Sequence, residues 1–448
     1  MKSSRFVTML FVQLVVFVFC IPSFSTSADL KFQSDTIFRI FERDVRQNQK
    51  DDDKTVFPIY EYMQFDATNL GTQQLSFHGY GWGRYDFANS DFYDNNAGGE
   101  FLYGYLQYDG RFHDYMVRVG RQFIFPYVTD DAVDGALFQT AVTKYFTVTG
   151  FGGLPVALEE TDGPSGDYTF GGRIANHFGN WYEIGAFFRE VIGDSDRAEE
   201  EIGWDLFVFL PWGISIQGRS KYNLISDGWA EHAYTGLYRF WKAHLDVHFD
   251  YFSLENFLLK GEDSANPFRF LSDTDETILS YGGDLTFTFF PEVDVGARFN
   301  YYDYDKKDES AQFYSLLGVW RWEENSELGA ELGYMNGDTG DNRYFLGRAY
   351  VYKTFEPGFV TADFVYADYN EDIMGVGQSY FASLGVGKTF LDADLAIKVS
   401  GDFSSDPYFD SDFRGMLNIR YNFGFSVPSE KSPKKSAEQK DLTKPYGK

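Results

Sequence analysis

Cysteine is all but missing from this sequence. Cys20 is the single one among 448 residues and lies in the N-terminal segment. A mature chain cut behind that segment holds no disulfide, no iron–sulfur cluster and no covalently attached haem of its own. Long apolar runs are missing too. Beyond the N-terminus nothing approaches the ~20 apolar residues that carry a helix across a bilayer, which excludes a helical membrane protein. Positive charge is in deficit. The 39 Lys and Arg face 67 Asp and Glu, a net charge of −28, and such a chain does not bind nucleic acid through its phosphates. What is abundant is aromatic: 48 Phe and 32 Tyr, with 44 Gly beside them. So many large apolar groups exclude disorder. Mean hydropathy is nevertheless −0.35, the combination expected of strands with one apolar and one wet face.

The N-terminus reads as an export signal. Lys2 and Arg5 precede an apolar stretch from Phe6 to Ile21, and the small residues Ser25, Thr26, Ser27 and Ala28 follow. Cleavage is expected after Ala28, which takes the net charge from −28 to −30. Phe19 stands just before Cys20, where a lipoprotein site needs a small residue, so lipidation is not expected. The division is then a signal peptide over 1–28, a barrel over 29–425 and a Lys-rich, disordered periplasmic tail over 426–448.

Between Ser34 and Phe425 the pattern has period two. Val293, Val295, Ala297, Phe299 and Tyr301 alternate with Asp294, Gly296, Arg298, Asn300 and Tyr302. Leu245, Val247, Phe249 and Tyr251 alternate with His244, Asp246, His248 and Asp250. Such runs last about 10–13 residues, against ~5–6 in soluble sheets, and are long enough to cross a bilayer while tilted. Tight turns at Gly71-Thr72-Gln73, Gly179-Asn180, Pro211-Trp212, Pro291-Glu292, Glu356-Pro357-Gly358 and Leu391-Asp392 alternate with longer acidic links. Among these links are Arg46–Lys54, Asp194–Glu200, Asp303–Ser310, Glu371–Gly377 and Ser404–Asp412. This asymmetry predicts an all-β fold: a transmembrane antiparallel β-barrel of about 22 strands (20–22) in the bacterial outer membrane, with short periplasmic turns. Aromatics beside the tight turns, among them Trp181, Trp212, Phe240-Trp241, Phe289-Phe290 and Trp320, fit an interfacial girdle against outer-membrane lipid. Arg121 falls on the apolar phase, so it lies near an interface or Gly120 shifts the register. Lys353 and Lys388 sit near strand ends, where they can snorkel.

A barrel of this size encloses a wide lumen. The first strand starts a few residues behind the expected cleavage site, with no room for an N-terminal plug, so inward loops or a separate protein must fill the opening. Leu154–Asp167 and Glu255–Asp275 are the candidate inward loops. The expected lumen-lining residues are Arg118, Arg219, Lys221, His244, Asp246, His248, Asp250, Asp284, Asp294, Arg298, Asp394, Lys398 and Arg420. They either set up a transverse field across the pore or pair locally on a wet wall. His244 and His248 stand ~13 Å apart along one strand, too far to share a metal, so no metal site is assigned. No positioned serine accompanies these groups, and no enzymatic role is expected. The acidic runs Asp51-Asp52-Asp53 and Asp338 to Asp341 read as solvated loops.

The segment Val119-Gly120-Arg121-Gln122-Phe123, with Asp134-Gly135 and Phe151-Gly152-Gly153, resembles a region of the porin component of porin–cytochrome electron conduits of metal-reducing bacteria. The resemblance implies a sheath without cofactors of its own. Haem would come only through multihaem c-type cytochromes held in the lumen or docked on either side. The alternative expectation is a general or substrate-selective diffusion porin for small polar solutes, with no cytochrome partner.

Overall fold

The computed structural model describes residues 28–45, 54–88, 93, 95–110, 114–124, 132–156, 168–193, 196–257, 276–340, 342–391 and 394–427. Residues 1–27 of the expected signal peptide (1–28), residues 428–448 of the expected tail (426–448) and most of both candidate inward loops (157–167 and 258–275) lie outside the described residues, as does the acidic run 51–53.

The strands are β1 (Ala28–Val45), β2 (Lys54–Val56), β3 (Pro58–Thr68), β4 (Leu75–Asp86), β5 (Ala97–Asp109) and β6 (Tyr115–Phe123). Then come β7 (Ala132–Thr143), β8 (Phe146–Val156), β9 (Tyr168–Phe178), β10 (Tyr182–Gly193), β11 (Asp196–Leu210) and β12 (Ile214–Asn223). β13 (Gly228–Phe240), β14 (Ala243–Ser253), β15 (Thr277–Phe290), β16 (Val293–Tyr304), β17 (Glu309–Glu323) and β18 (Ser326–Gly337) follow. The last are β19 (Arg343–Phe355), β20 (Gly358–Ile373), β21 (Val376–Phe390), β22 (Leu395–Ser405) and β23 (Phe409–Val427). Each pairs antiparallel with its sequence neighbour, and β1 closes the sheet against β23 from Ala28↔Val427 to Val45↔Phe409. β2 and β3 both pair with β1 and are two parts of one stave broken at Phe57. The result is a closed barrel of 22 strands, the expected even number. Neighbours ~4.8 Å apart and tilted ~40° give a backbone diameter of roughly 40 Å.

One end of the barrel carries Ala28, Val427 and every tight turn named from the sequence. The longer links fall at the other end, but several shrink: Ser404–Asp412 leaves only 406–408 between strands and Asp303–Ser310 only 305–308. Asp194–Glu200 is mostly strand, and Glu371–Gly377 contracts to the turn Met374-Gly375, both at positive φ (55° and 82°). The reason is physical. Beyond the bilayer both faces of a hairpin meet water, so hydrogen-bonded strand continues without apolar alternation and reads as loop.

Cross-strand register assigns every strand residue to one of two faces. One face is apolar on nearly every strand, with Ile174, Ile184, Leu316, Leu332, Leu384, Val386 and Val399 each 49–68% exposed. The opposite face is polar. In a closed transmembrane barrel the apolar face is the lipid-facing one. At the short-turn end, Trp212 and Trp241 are 77% and 87% exposed, and Trp181, Phe289, Phe290 and Trp320 stand out beside them. This is the expected girdle, and it places that end at the periplasmic interface. Lys353 and Lys388 lie there too, Lys353 bonded to Glu323 at 2.5 Å and Lys388 against Phe390. The chain is a bacterial outer-membrane β-barrel.

The outer belt carries a polar breach on β3. Glu61 of β3 lies on the lipid phase directly opposite Thr36 of β1 and Gly83 of β4. Ile59, Met63 and Phe65 bracket it along its own strand, and Phe32 and Phe38 do so on β1. Two hydroxyls satisfy it: Ser34 Oγ donates to Oε1 at 2.5 Å and Thr36 Oγ1 to Oε2 at 2.6 Å. A carboxylate at this depth persists only with such donors. The double substitution Ser34→Ala, Thr36→Ala is therefore expected to cost about 2–4 kcal/mol, read as a lower urea midpoint in lipid vesicles. Glu61→Leu should raise the midpoint, and a fall instead would show that Glu61 does not face lipid.

Candidate functional site

The candidate site is the inner wall. Register places Arg118, Arg219, Lys221, His244, Asp246, His248, Asp250, Asp284, Asp294, Arg298, Lys398 and Arg420 on its polar face. Asp394 is the exception. It lies in the periplasmic turn before β22, where it is exposed and its carbonyl accepts from Asn422 N–H. Its phase extrapolates to the lumen, but the strand starts only at Leu395, so Asp394 is not part of the wall.

The charges of this wall are paired between neighbouring strands. Arg298 Nε donates to Asp284 Oδ1 at 2.7 Å, and its Nη1 reaches Glu331 at 3.2 Å. Arg219 Nε donates to Glu231 Oε1 at 2.8 Å, while Lys221 Nζ lies 3.2 Å from Oε2 of the same carboxylate. Arg321 holds Asp294 at 2.6 Å and Arg348 holds Asp363 at 2.5 Å. At the seam between β1 and β23, Arg420 Nη2 donates to Asp35 at 3.0 Å. Of the two arrangements open from the sequence, the structure shows local pairing. The guanidinium groups of Arg219, Arg298, Arg321, Arg348 and Arg420 are each neutralised a few ångströms away, which weakens their field across a lumen filled with water and salt.

His244, Asp246, His248 and Asp250 share one inward row on β14, with His244 Nε2 3.4 Å from Asp246 Oδ1. Among the described residues no group of three or more His, Cys, Asp or Glu is placed to hold a metal.

One ion cluster has no counterpart among the residues expected from the sequence. Arg173 of β9 sends Nε and Nη2 to Asp205 of β11 at 2.9 and 2.5 Å, and Nη2 also to Glu183 of β10 at 2.7 Å. Nothing local announces it, because Arg173 and Asp205 lie 32 residues apart. Gly185 sits between them, and a Cβ there would come within 2.6 Å of both Arg173 Nε and Asp205 Oδ2.

The residues that carry the family resemblance form one structural unit. Gly120, Gly135 and Gly153 face one another across β6, β7 and β8. Next to them Arg121 makes a two-pronged bond to Asp134, 2.8 Å on each arm, and a third to Phe101 O at 2.8 Å. Arg121 keeps the lipid phase two residues before β6 ends, and no register shift separates Gly120 from it. Its charge is met on that face by Asp134.

A second inward feature joins β3, β4 and β5. Tyr60 and Tyr62 lie 6.4 Å apart between ring centres, and Trp82 is 6.4 and 6.5 Å from them. Further toward the periplasm, Tyr80 and Tyr103 are 5.7 Å apart, Tyr103 and Tyr105 5.9 Å, and His78 lies 5.2 Å from Tyr105. The rings share the lumen face with Gln64, Asp66 and Gln107.

No protein-family model and no curated protein matches the sequence. Among solved structures the barrel is similar to OccAB4 of Acinetobacter baumannii, at 10% identity over 88% of this chain and 98% of that one, with a TM-score of 0.45. It is likewise similar to the outer membrane protein OpdK of Pseudomonas aeruginosa, at 8% identity over 88% and 99% of the two chains, with a TM-score of 0.41. The translocation pore of the P pilus usher PapC gives 8% identity, the same coverage and a TM-score of 0.43. At these values the likeness reaches no individual residue of the wall.

Proposed function

We propose that the protein is a diffusion channel for small polar solutes across the outer membrane. The observation that carries this reading is the closed inner wall, on which arginines and carboxylates pair between neighbouring strands. The wall supplies wetting and mechanical stiffness. Local neutralisation leaves little net preference for either ion sign. The proposal assigns no residue a catalytic role.

The conduit role implied by the short resemblance asks for a haem-rich partner, and the two readings separate in one preparation. Protein purified without denaturation from its native membrane should be colourless and should give stepwise, ohmic conductance in a planar bilayer, with weak ion selectivity. A Soret band that follows the barrel through purification would replace the channel reading with the conduit. Insertion without any conductance would overturn the channel outright.

A further inference from the structure

The inward aromatic row on β3, β4 and β5 is more than a wet wall requires. Elsewhere on the described lumen face, charge pairs, glycine and hydroxyls are interspersed with apolar side chains such as Leu137, Phe151 and Phe187 and with isolated ring pairs such as Tyr344–Tyr369. Here six rings, Tyr60, Tyr62, Trp82, Tyr80, Tyr103 and Tyr105, follow one another at 5.7–6.5 Å within each group. Tyr80 bridges the two groups, two residues from Trp82 on the same face and opposite Gln64. The row runs along the pore axis, since Tyr60 and Asp66 mark its ends on a single strand and lie about 20 Å apart. At the outer end Tyr60 OH meets Tyr93 OH at 2.7 Å, which extends the row to the mouth.

The flanking groups decide what such a row would take. Arg39 lies 5.3 Å over Tyr60, Arg84 3.6 Å over Tyr93 and Arg118 5.0 Å over Tyr105. The ends are thus already occupied by guanidinium, which disfavours a cationic permeant. Arg118 also donates to Gln107 Oε1 at 2.8 Å, and Asp66 accepts from Gln64 and meets His78 Nδ1. Planar amide and carboxylate groups therefore border planar rings. A pyranose suits that pairing. Its axial C–H bonds meet the negative face of a ring, and its equatorial hydroxyls, spread around the edge, find acceptors and donors beside it. Successive rings let one sugar unit replace the next without full release, the weak multi-site binding that permits conduction.

The geometry points to a binding track for neutral linear oligosaccharides along β3, β4 and β5. This rests on the channel reading and deepens it by naming a permeant class. The test uses single-channel current in a planar bilayer, with maltohexaose and cellohexaose as probes and benzoate as the competing chemistry. Expected are brief current blocks by at least one of the two sugars, with an apparent affinity at least tenfold weaker in the variant Tyr62→Ala, Trp82→Ala, Tyr103→Ala. The variant's own open-pore current is the reference and shows that it has folded. A second variant, Tyr62→Phe with Tyr103→Phe, keeps the rings and should keep the blocks. Three outcomes overturn the track while leaving the channel intact: ion current that neither sugar interrupts, block by benzoate alone, or sugar block of equal affinity in the alanine variant. Absence of any ion current overturns the channel, and the track falls with it.

Discussion

Arg173→Met is expected to lower the stability of the barrel by about 3 kcal/mol, the cost of leaving a largely buried carboxylate without its counter-ion. Asp205 and the Arg173 side chain are each only 14% exposed, whereas Glu183 is 45% exposed. Most of the loss should therefore come from Asp205. The double variant Arg173→Met, Asp205→Asn removes both charges and should recover much of the difference. The interaction term of that cycle, measured by urea unfolding in lipid vesicles, isolates the pair from the rest of the wall. Gly185→Ala provides a steric route to the same bond, because its Cβ would intrude on donor and acceptor alike. If the single substitution leaves the midpoint where it was, the cluster is a solvated surface pair worth little.

The prediction bears on how the barrel is held. The outer face gains nothing by contacting itself, since lipid tails are as apolar as its own side chains. Cross-strand hydrogen bonds close the cylinder, and inward ion pairs pin neighbouring strands in register. Arg173 spans three strands, and Arg298 joins β15, β16 and β18 through Asp284 and Glu331. A one-residue slip would carry each arginine to the lipid side. The pairs that line the lumen therefore also specify the register, and wall chemistry and folding are not separable.

Much of this architecture was legible in the sequence. Alternation such as Val293, Val295, Ala297 against Asp294, Gly296, Arg298 identified both faces of β16, and the tight turns all fell at one end. Extracellular hairpins were read as loops, because the apolar contrast that marks a strand vanishes where both faces are wet. The aromatic row was hidden for the opposite reason. Tyr60, Tyr62 and Tyr80 face the lumen, yet tyrosine suits lipid interfaces equally, so the period-two contrast blurs in β3 and β4. Glu61 was missed as a single polar residue on the wrong phase. Its meaning depends on Ser34 and Thr36 across the strand, 27 and 25 residues away. Pairings such as Arg173–Asp205 depend on the stagger between strands, which one-dimensional periodicity does not carry.

Gly120→Ala should be far more damaging than the same change at Gly375, although both glycines sit at positive φ. Gly375 has φ of 82° in the Met374-Gly375 turn, with nothing within 4 Å of an added Cβ. Only backbone strain opposes a side chain there, about 1 kcal/mol. Gly120 has φ of 130°, and its Cβ would lie 2.2 Å from the Gly104 carbonyl oxygen and 2.9 Å from the Tyr105 Cα. Those atoms belong to the backbone of β5 and cannot rotate away. Strain and overlap together should cost about 3–5 kcal/mol, enough to unzip β5 from β6. The consequence reaches further than one contact. Moving β6 outward would pull Arg121 from Phe101 O and open the glycine row with Gly135 and Gly153. Heat-modifiable migration on gels and urea midpoints should therefore separate the two variants, Gly375→Ala running as the folded barrel and Gly120→Ala largely unfolded. Equal behaviour would mean that β5 and β6 can part without loss, and that the close approach at Gly120 does not hold the wall together.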